Sequence, residues 1–176
     1  MISIELIKIG FGFLIIAYLT KLIIDGLRGE ALYFPLPKNT IRKMLRLAKV
    51  NKNDIVYDLG SGDGRVLIIA VKEFGVKKAV GIEKSLILYL ISKLFVKLNK
   101  LENKIKIIHN DFFKEKISDA TVITLYLNWG VMKRLEEKIL KECKNVRIVS
   151  AAHKFPNLKY KRKIKTGHFY CYLYEV

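Results

Sequence analysis

One segment constrains the fold of this 176-residue chain most, because it joins an apolar strand pattern to a glycine-rich turn and a helix. From Ile55 to Arg65 it reads Ile-Val-Tyr-Asp-Leu-Gly-Ser-Gly-Asp-Gly-Arg. Glycines at alternate positions let the backbone bend sharply and approach a ligand closely, because they carry no Cβ. The helix predicted over Gly64 to Phe74 presents the free N–H groups of its first turn to an anionic ligand group. The segment therefore predicts a nucleoside-binding site at the end of a strand.

The spacing of the glycines distinguishes between nucleoside cofactors. A dinucleotide fingerprint needs G-x-G-x-x-G, but here Gly64 comes one residue early and Arg65 holds the position of the third glycine. A phosphate loop of the G-x-x-x-x-G-K-[ST] kind is absent. The pattern D-x-G-x-G-x-G resembles the first motif of class I methyltransferases, which bind S-adenosylmethionine (SAM) and release S-adenosylhomocysteine. This resemblance implies cofactor contacts by Asp58, Gly60, Ser61, Gly62 and Gly64.

Two further acids follow the next two predicted strands. Glu83 ends the run from Lys78 to Ile82, where a carboxylate can accept both ribose hydroxyls of a nucleoside. Asp111 follows Ile105 to Ile108, and the resemblance to class I enzymes places it near the adenine amino group. A single loop acid is ordinarily just solvated, but three acids at the ends of successive strands indicate one site. The predicted cofactor-binding set is completed by Glu83, Asn110, Asp111 and Phe112.

Composition and cysteine usage narrow the class of protein. A hydrophobic content of 51% excludes a disordered chain, and the length fits one domain with a short appendage. Cys143 and Cys171 make no disulfide framework and have no metal-ligand spacing with the three histidines. Each cysteine lies in an apolar pattern, which predicts a core position. We therefore expect an intracellular protein without a metal.

The charge balance indicates acidic partners. The chain has 33 Lys and Arg against 16 acids, a formal charge of +17, and the runs 38–49 and 154–165 contain no acid. Such an excess suits nucleic acid, an anionic membrane surface or acidic proteins. Solvated faces of a lysine-rich protein are the equally weighted alternative. No arginine-rich arm or aromatic stacking motif for RNA is present.

The N-terminal segment predicts a hydrophobic helix and a membrane anchor. Residues 9–20 carry no charge, and residues 6–24 include only Lys8 and Lys21, near the ends, where long side chains reach the interface. Lys21, Arg28 and the basic remainder favour a catalytic domain on the cytoplasmic side. The alternative is a soluble cytoplasmic protein whose helix packs on the domain or mediates self-association. We predict a helix and linker over residues 1–30 and a catalytic domain over 31–176.

The remaining pattern predicts an α/β architecture. Helices are expected at Ile41–Lys49 (capped by Asn39 or Thr40), Leu86–Leu98 and Val131–Cys143, and strands at Ala120–Tyr126 and Val146–Ser150. Alternating runs at Leu158–Ile164 and Phe169–Val176 predict a terminal hairpin. Five parallel strands and this hairpin predict the Rossmann-like seven-stranded sheet of class I SAM-dependent methyltransferases. The ligand then lies beyond the carboxyl ends of the parallel strands, where all three acids fall.

Nearly the whole chain resembles one family, the small seven-strand protein-lysine methyltransferases of archaea and animal mitochondria. The resemblance rests on Tyr33-Phe34-Pro35-Leu36-Pro37 with Met44-Leu45, on Val56 to Arg65, on Ala79 to Glu83, on Asp111-Phe112-Phe113 and on Leu125-Tyr126-Leu127. The mitochondrial members share a hydrophobic N-terminal segment. The family usually has Thr where this chain has Leu36, and Leu-Pro where it has Asn128-Trp129. These departures would border the cofactor or the substrate entrance, so they bear on substrate choice.

The resemblance implies methyl transfer from SAM to the ε-amino group of lysine in protein substrates. An apolar channel with aromatic walls would lower the pKa of the substrate lysine and hold its ammonium form. The candidates for that channel are Tyr33, Phe34, Tyr126 and Trp129, and no general base is assigned. An rRNA or tRNA methyltransferase is the alternative that the charge supports, although Asn128-Trp129-Gly130 lacks the prolines of an [ND]-P-P-[YF] motif. A non-enzymatic SAM-binding protein is the third reading.

Overall fold

A computed structural model describes residues 34–176 and the isolated positions Gly12 and Ile16. The predicted helix over residues 6–24 and the channel candidate Tyr33 otherwise lie outside the described residues. Seven strands form one sheet in the order β3-β2-β1-β4-β5-β7-β6. The strands are β1 Ile55–Leu59, β2 Lys78–Glu83, β3 Ile105–His109, β4 Val122–Leu125, β5 Arg147–Ala151, β6 Arg162–Thr166 and β7 Phe169–Glu175.

The sheet has its switch point at β1. Strand β1 pairs in parallel with both β2 and β4, so the chain winds outward in both directions from this strand. Strand β7 is antiparallel to β5 and to β6, which confirms the terminal hairpin. A switch point leaves a crevice beyond the carboxyl ends of the parallel strands. Asp58 lies there, in register with Gly81 of β2 and Thr124 of β4.

Helices cover both faces of the sheet because the strand residues alternate between two hydrophobic clusters. The helices are α1 Lys38–Leu47, α2 Arg65–Phe74, α3 Leu86–Leu98 and α4 Trp129–Glu142. Val56 packs in one cluster with core residues of α1, α2 and α3. Its neighbour Tyr57 points to the other face and packs with core residues of α4. The sheet is therefore the middle layer of three, and the second face is sealed largely by α4.

The start of α1 differs from the prediction. The helix begins at Lys38, three residues earlier than expected, and Pro37 occupies the N-cap position without a side-chain cap. The Pro37 carbonyl accepts the N–H of Ile41, so Thr40 already lies in the first turn and is buried. Proline fixes φ near the helical value, which suits the chain's entry into a helix. The predicted cap by Asn39 or Thr40 is therefore wrong.

Other boundaries shift by a few residues. Strand β4 covers only Val122–Leu125, and α4 begins at Trp129, two residues before the predicted Val131. The first hairpin arm, expected from Leu158, pairs only from Arg162 because that is where β7 supplies partners. Among residues 34–176, no helix combines the length and apolar character needed to cross a membrane.

Candidate active site

Three glycines shape the turn between β1 and α2. Gly60, Gly62 and Gly64 have φ values of 77°, 54° and 79°, which other residues rarely adopt. A Cβ on Gly60 would lie 2.9 Å from Cδ2 of Leu127, and a Cβ on Gly64 would lie 3.2 Å from Cβ of Ser92. The turn is therefore packed tightly by the segment after β4 and by α3. Glycine is required here by backbone conformation and by space.

Glu83 fixes the turn from the neighbouring strand. Its Oε2 accepts the N–H of Gly62 at 2.8 Å, and its Oε1 accepts the N–H of Ser85 at 2.8 Å. The side chain is buried. A carboxylate has about four acceptor sites, so two remain for other donors such as a pair of hydroxyls. The structure thus gives Glu83 a positioning role that the sequence did not predict.

Asp58 is the most perturbed acid in the site. It is buried and accepts a hydrogen bond from Oγ1 of Thr124 at 2.7 Å. Burial raises the pKa of Asp58 to about 7, although the hydrogen bond from Thr124 opposes the shift. The nearby charges of Glu83 and Asp63 add to the rise. Sequence reasoning missed Thr124, which is a lone hydroxyl in the apolar run of β4.

A buried hydroxyl supplies an independent sign of a ligand. Oγ of Ser61 is inaccessible and has no hydrogen-bond partner within the part of the chain that the structure describes. Buried polar groups without partners are rare and costly in folded proteins. Gly81 makes room for it, because a Cβ on this glycine would lie 2.6 Å from that Oγ. Ser61 therefore fits a turn that binds a polar group of a cofactor.

The loop after β3 lies beside Glu83. The N–H of Asn110 donates to the Glu83 carbonyl at 3.2 Å, and Oδ1 of Asn110 accepts the N–H of Asp111 at 2.8 Å. Oδ1 of Asp111 accepts the N–H of Phe113 at 2.9 Å, which orients its carboxylate. Phe112, the last predicted cofactor residue, is half-buried next to Phe113 at a ring distance of 4.6 Å. These side chains meet Glu83 at one edge of the sheet.

The aromatic candidates have different surroundings. Tyr126 directly follows β4, is half-buried and stacks on Phe169 with ring centroids 5.7 Å apart. Trp129 begins α4 and is largely exposed, and Phe34 is also exposed. Phe169 was not singled out from the sequence, because only the return of β7 brings it to Tyr126. Leu36, the departure between the two prolines, packs in the core, and its carbonyl accepts a hydrogen bond from Arg65.

Metal-ligating groups are not clustered in the described part of the chain. No group of three His, Cys, Asp or Glu side chains there could hold a metal ion. Cys143 and Cys171 are free thiols buried in the core, as predicted. Burial raises the pKa of the Cys143 thiol to about 11, which keeps it protonated and unreactive.

The seven-stranded sheet, its switch point and the glycine turn define a class I SAM-dependent methyltransferase. The family described as "ANTKMT methyltransferase domain" matches residues 58–162. A protein-lysine N-methyltransferase of Saccharolobus islandicus is 43% identical over 124 residues, covering 70% of this chain and 76% of that protein. The chain therefore belongs to the ANTKMT methyltransferase domain family, as the sequence motifs predicted.

Two more distant relatives agree with this assignment. A lysine N-methyltransferase of Xenopus laevis that is named for a component of ATP synthase is 28% identical over 143 residues, covering 80% of this chain and 62% of that protein. A crystal structure of an RNA methyltransferase from Salinibacter ruber, in complex with S-adenosylhomocysteine, has a TM-score of 0.79 and 30% identity. The match covers 81% of this chain and 94% of the Salinibacter chain. The enzyme is thus a SAM-dependent methyltransferase, and the Salinibacter structure shares its fold.

Proposed function

We propose that this enzyme transfers the methyl group of SAM to the ε-amino group of lysine residues in protein substrates. The observation that carries the proposal is the 43% identity to a protein-lysine N-methyltransferase over 70% of the chain. The buried, glycine-rich crevice with its three acids supports it, because the fold supplies a place for the cofactor beside the exit of β4. The target protein is a class of substrate here, a protein with accessible lysines.

The residues around the turn would hold the cofactor. Glu83 has free acceptor capacity for the two ribose hydroxyls, and Asp111 is oriented to accept from the adenine amino group. The turn from Gly60 to Gly64 admits the backbone of the ligand, and Oγ of Ser61 offers a buried hydroxyl to its polar end. The bound cofactor supplies a methyl group on a sulfonium, so the reaction is an in-line displacement.

The segment after β4 would receive the lysine. Tyr126, held against Phe169, and Trp129 form an aromatic exit from the crevice, and Leu127 closes it on the side of Gly60. Ring faces attract the lysine ammonium, and desolvation against them lowers its pKa, so the neutral amine becomes available. Positioning then supplies much of the rate enhancement without a dedicated general base.

Location is a further part of the proposal. Residues 6–24 would anchor the enzyme in a membrane as a helix, and residues 31–176 would form the catalytic domain in the cytoplasm. The support is the nearly uncharged segment and the basic residues behind it. Detergent-free fractionation of cells that express the full chain tests this. Full-length protein that stays in the supernatant after ultracentrifugation would remove the anchor.

A labelling experiment tests the acceptor class. The full chain is incubated with methyl-labelled SAM and a cell extract, and the products are treated with protease or with nuclease. Label that only protease releases, and that appears in methylated lysine after acid hydrolysis, is the expected result. Label that nuclease releases would instead identify an RNA acceptor, which the charge of +17 makes the natural alternative. No label from protein that binds S-adenosylhomocysteine would contradict both.

A further inference from the structure

Helix α3 presents an apolar surface to solvent. Four large side chains on it have relative exposures between 53% and 68%: Ile87, Leu90, Leu94 and Leu98. We call these four residues the leucine face. Soluble proteins expose single apolar residues routinely, but a continuous row of them marks an interaction site.

The geometry of the helix shows that this face points directly away from the sheet. Ser92 and Val96 are the buried residues of α3. Leu94 is two positions from each of them, and two positions correspond to about 200° around an α-helix. Leu90 and Leu98 lie one turn before and after Leu94 on the same side. The outward stripe of α3, which is polar on an ordinary surface helix, is therefore leucine-rich.

Lysines accompany the leucine face. Lys93, Lys97 and Lys100 are exposed and lie on one flank of Leu94, about 60–120° around the helix. No acid occurs between Glu83 and Glu102. A helix with an apolar face and a lysine flank matches the pattern of helices that lie in the interface of a membrane with anionic lipid.

Helix α4, on the other side of the sheet, gives the internal comparison. It also exposes one leucine, Leu140, at 51%. Around that leucine the surface carries both signs of charge, with Glu137 and Lys141 exposed. The same fold thus has one helix with an ordinary mixed surface and one with a leucine face, so the leucine face is a property of α3 and not of the fold's helices in general.

We propose that α3 docks the catalytic domain on an anionic lipid bilayer, with the leucine face at the acyl-chain boundary and the lysines at the headgroups. The proposal does not depend on the anchor at residues 6–24 or on the acceptor class. Charge selects this occupant over the others. A second copy of α3 would bring lysines against lysines, and residues 6–24 offer Lys8 and Lys21 but no acid.

Site-specific labelling separates α3 from any other membrane contact. Leu94→Cys in the full chain carries an environment-sensitive fluorophore, and Leu140→Cys is the matched control on α4. The native Cys143 and Cys171 are buried and remain unlabelled in the folded protein. Each labelled protein is mixed with vesicles of phosphatidylcholine alone or with 30% phosphatidylglycerol, about a third anionic lipid. Lipids with a quencher in the acyl chain report depth.

The expected result is a blue shift and acyl-chain quenching at position 94 with anionic vesicles only, reversed by high salt, and no change at position 140. No change at position 94 would overturn the proposal. A probe at position 94 that is already shielded without lipid would also overturn it. Shielding that grows with protein concentration would then identify a second copy as the occupant, and concentration-independent shielding would identify the chain itself.

Charge reversal provides a second measurement. Lys93→Glu combined with Lys97→Glu should reduce the probe response to anionic vesicles at least about tenfold in lipid concentration. Lys133→Glu combined with Lys141→Glu on α4 is the control with the same change in net charge. Both proteins should bind S-adenosylhomocysteine as the parent does, which verifies folding. Equal losses in the two variants would show that total charge, and not α3, attracts the lipid, and would overturn the proposal.

Discussion

The Glu83 carboxylate combines two duties at the scale of one side chain. It accepts N–H groups from Gly62 and Ser85, and so it holds the glycine turn against the start of α3. Its remaining acceptor sites face the same edge of the sheet as Asp58 and Asp111. One residue therefore couples the shape of the turn to the binding of a cofactor.

Glu83→Gln tests this coupling. The amide has one acceptor oxygen, so its NH₂ group must face a donor at Gly62 or at Ser85. Losing a hydrogen bond to a charged acceptor costs about 1.5–3 kcal/mol, and we expect S-adenosylhomocysteine affinity to fall on the order of 10–100-fold. Titration calorimetry measures it. Glu102→Gln, at an exposed position, is the control. Equal affinity of both variants would show that Glu83 is dispensable.

Asp58 gives the protein a defined dependence of stability on pH. Its pKa rises from 3.8 to about 7 on folding, so the folded state binds the proton more tightly. The contribution of Asp58 to stability is present below pH 4 and is lost as the pH rises through 7. Asp58→Asn stays neutral and removes this slope. Urea unfolding at several pH values between 5 and 8 compares the two proteins, and parallel curves would refute the shift.

At the scale of elements, the site depends on how closely β2 approaches the turn and α2. Gly81 lies in β2 with ordinary strand geometry, so its requirement comes from space. An added Cβ would lie 2.6 Å from Cδ1 of Leu67 and 2.6 Å from Oγ of Ser61. The strand, the helix and the turn therefore meet at a position where no side chain fits.

Gly81→Ala should separate these elements. Overpacking costs roughly 1–3 kcal/mol of unfolding free energy, and the displaced turn should also bind the cofactor more weakly. Gly130→Ala is the matched control, because it lies in the first turn of α4 and its nearest neighbour is 3.7 Å away. Denaturant unfolding and calorimetry measure both variants. A Gly81→Ala protein as stable as Gly130→Ala would contradict the packing argument.

At the scale of the whole molecule, one arginine ties distant parts of the chain together. Arg147, the first residue of β5, donates to the carbonyls of Ala48 and Lys49 and pairs with the buried Asp54. Asp54 also accepts from Oγ1 of Thr121, at the start of β4. This network joins the end of α1 to three strands at their amino ends, while the candidate site lies at the carboxyl ends.

Arg147→Met should therefore lower stability without touching the cofactor. Removing one partner of a buried pair strands Asp54 and should cost roughly 3 kcal/mol. Arg42→Met is the control, because Arg42 forms a bidentate pair with Glu73 on the surface and such pairs are worth about 1 kcal/mol or less. Denaturant unfolding measures the difference. Below the unfolding transition, S-adenosylhomocysteine affinity should equal that of the parent, and a loss there would disprove the separation of the two edges.

Local patterns in the sequence were sufficient for much of the architecture. The β1 strand and the glycine turn were predictable because glycine spacing and apolar runs are properties of neighbouring residues. The acids at the strand ends followed from the parallel order of the strands. The boundaries of α1 and β6 were not predictable, because Pro37 and the pairing range of β7 decided them.

The sequence by itself determined the elements, the class I sheet and the acids of the cofactor edge, since these depend on periodicity and on residue type. Only the tertiary structure decided that Thr124 supports Asp58, that Phe169 backs Tyr126, and that α3 turns its leucines outward. An apolar helix pattern in a sequence reads the same whether its partner is a sheet or the surroundings. Contacts between residues far apart in the chain arise from packing, and packing exists only once the elements are assembled.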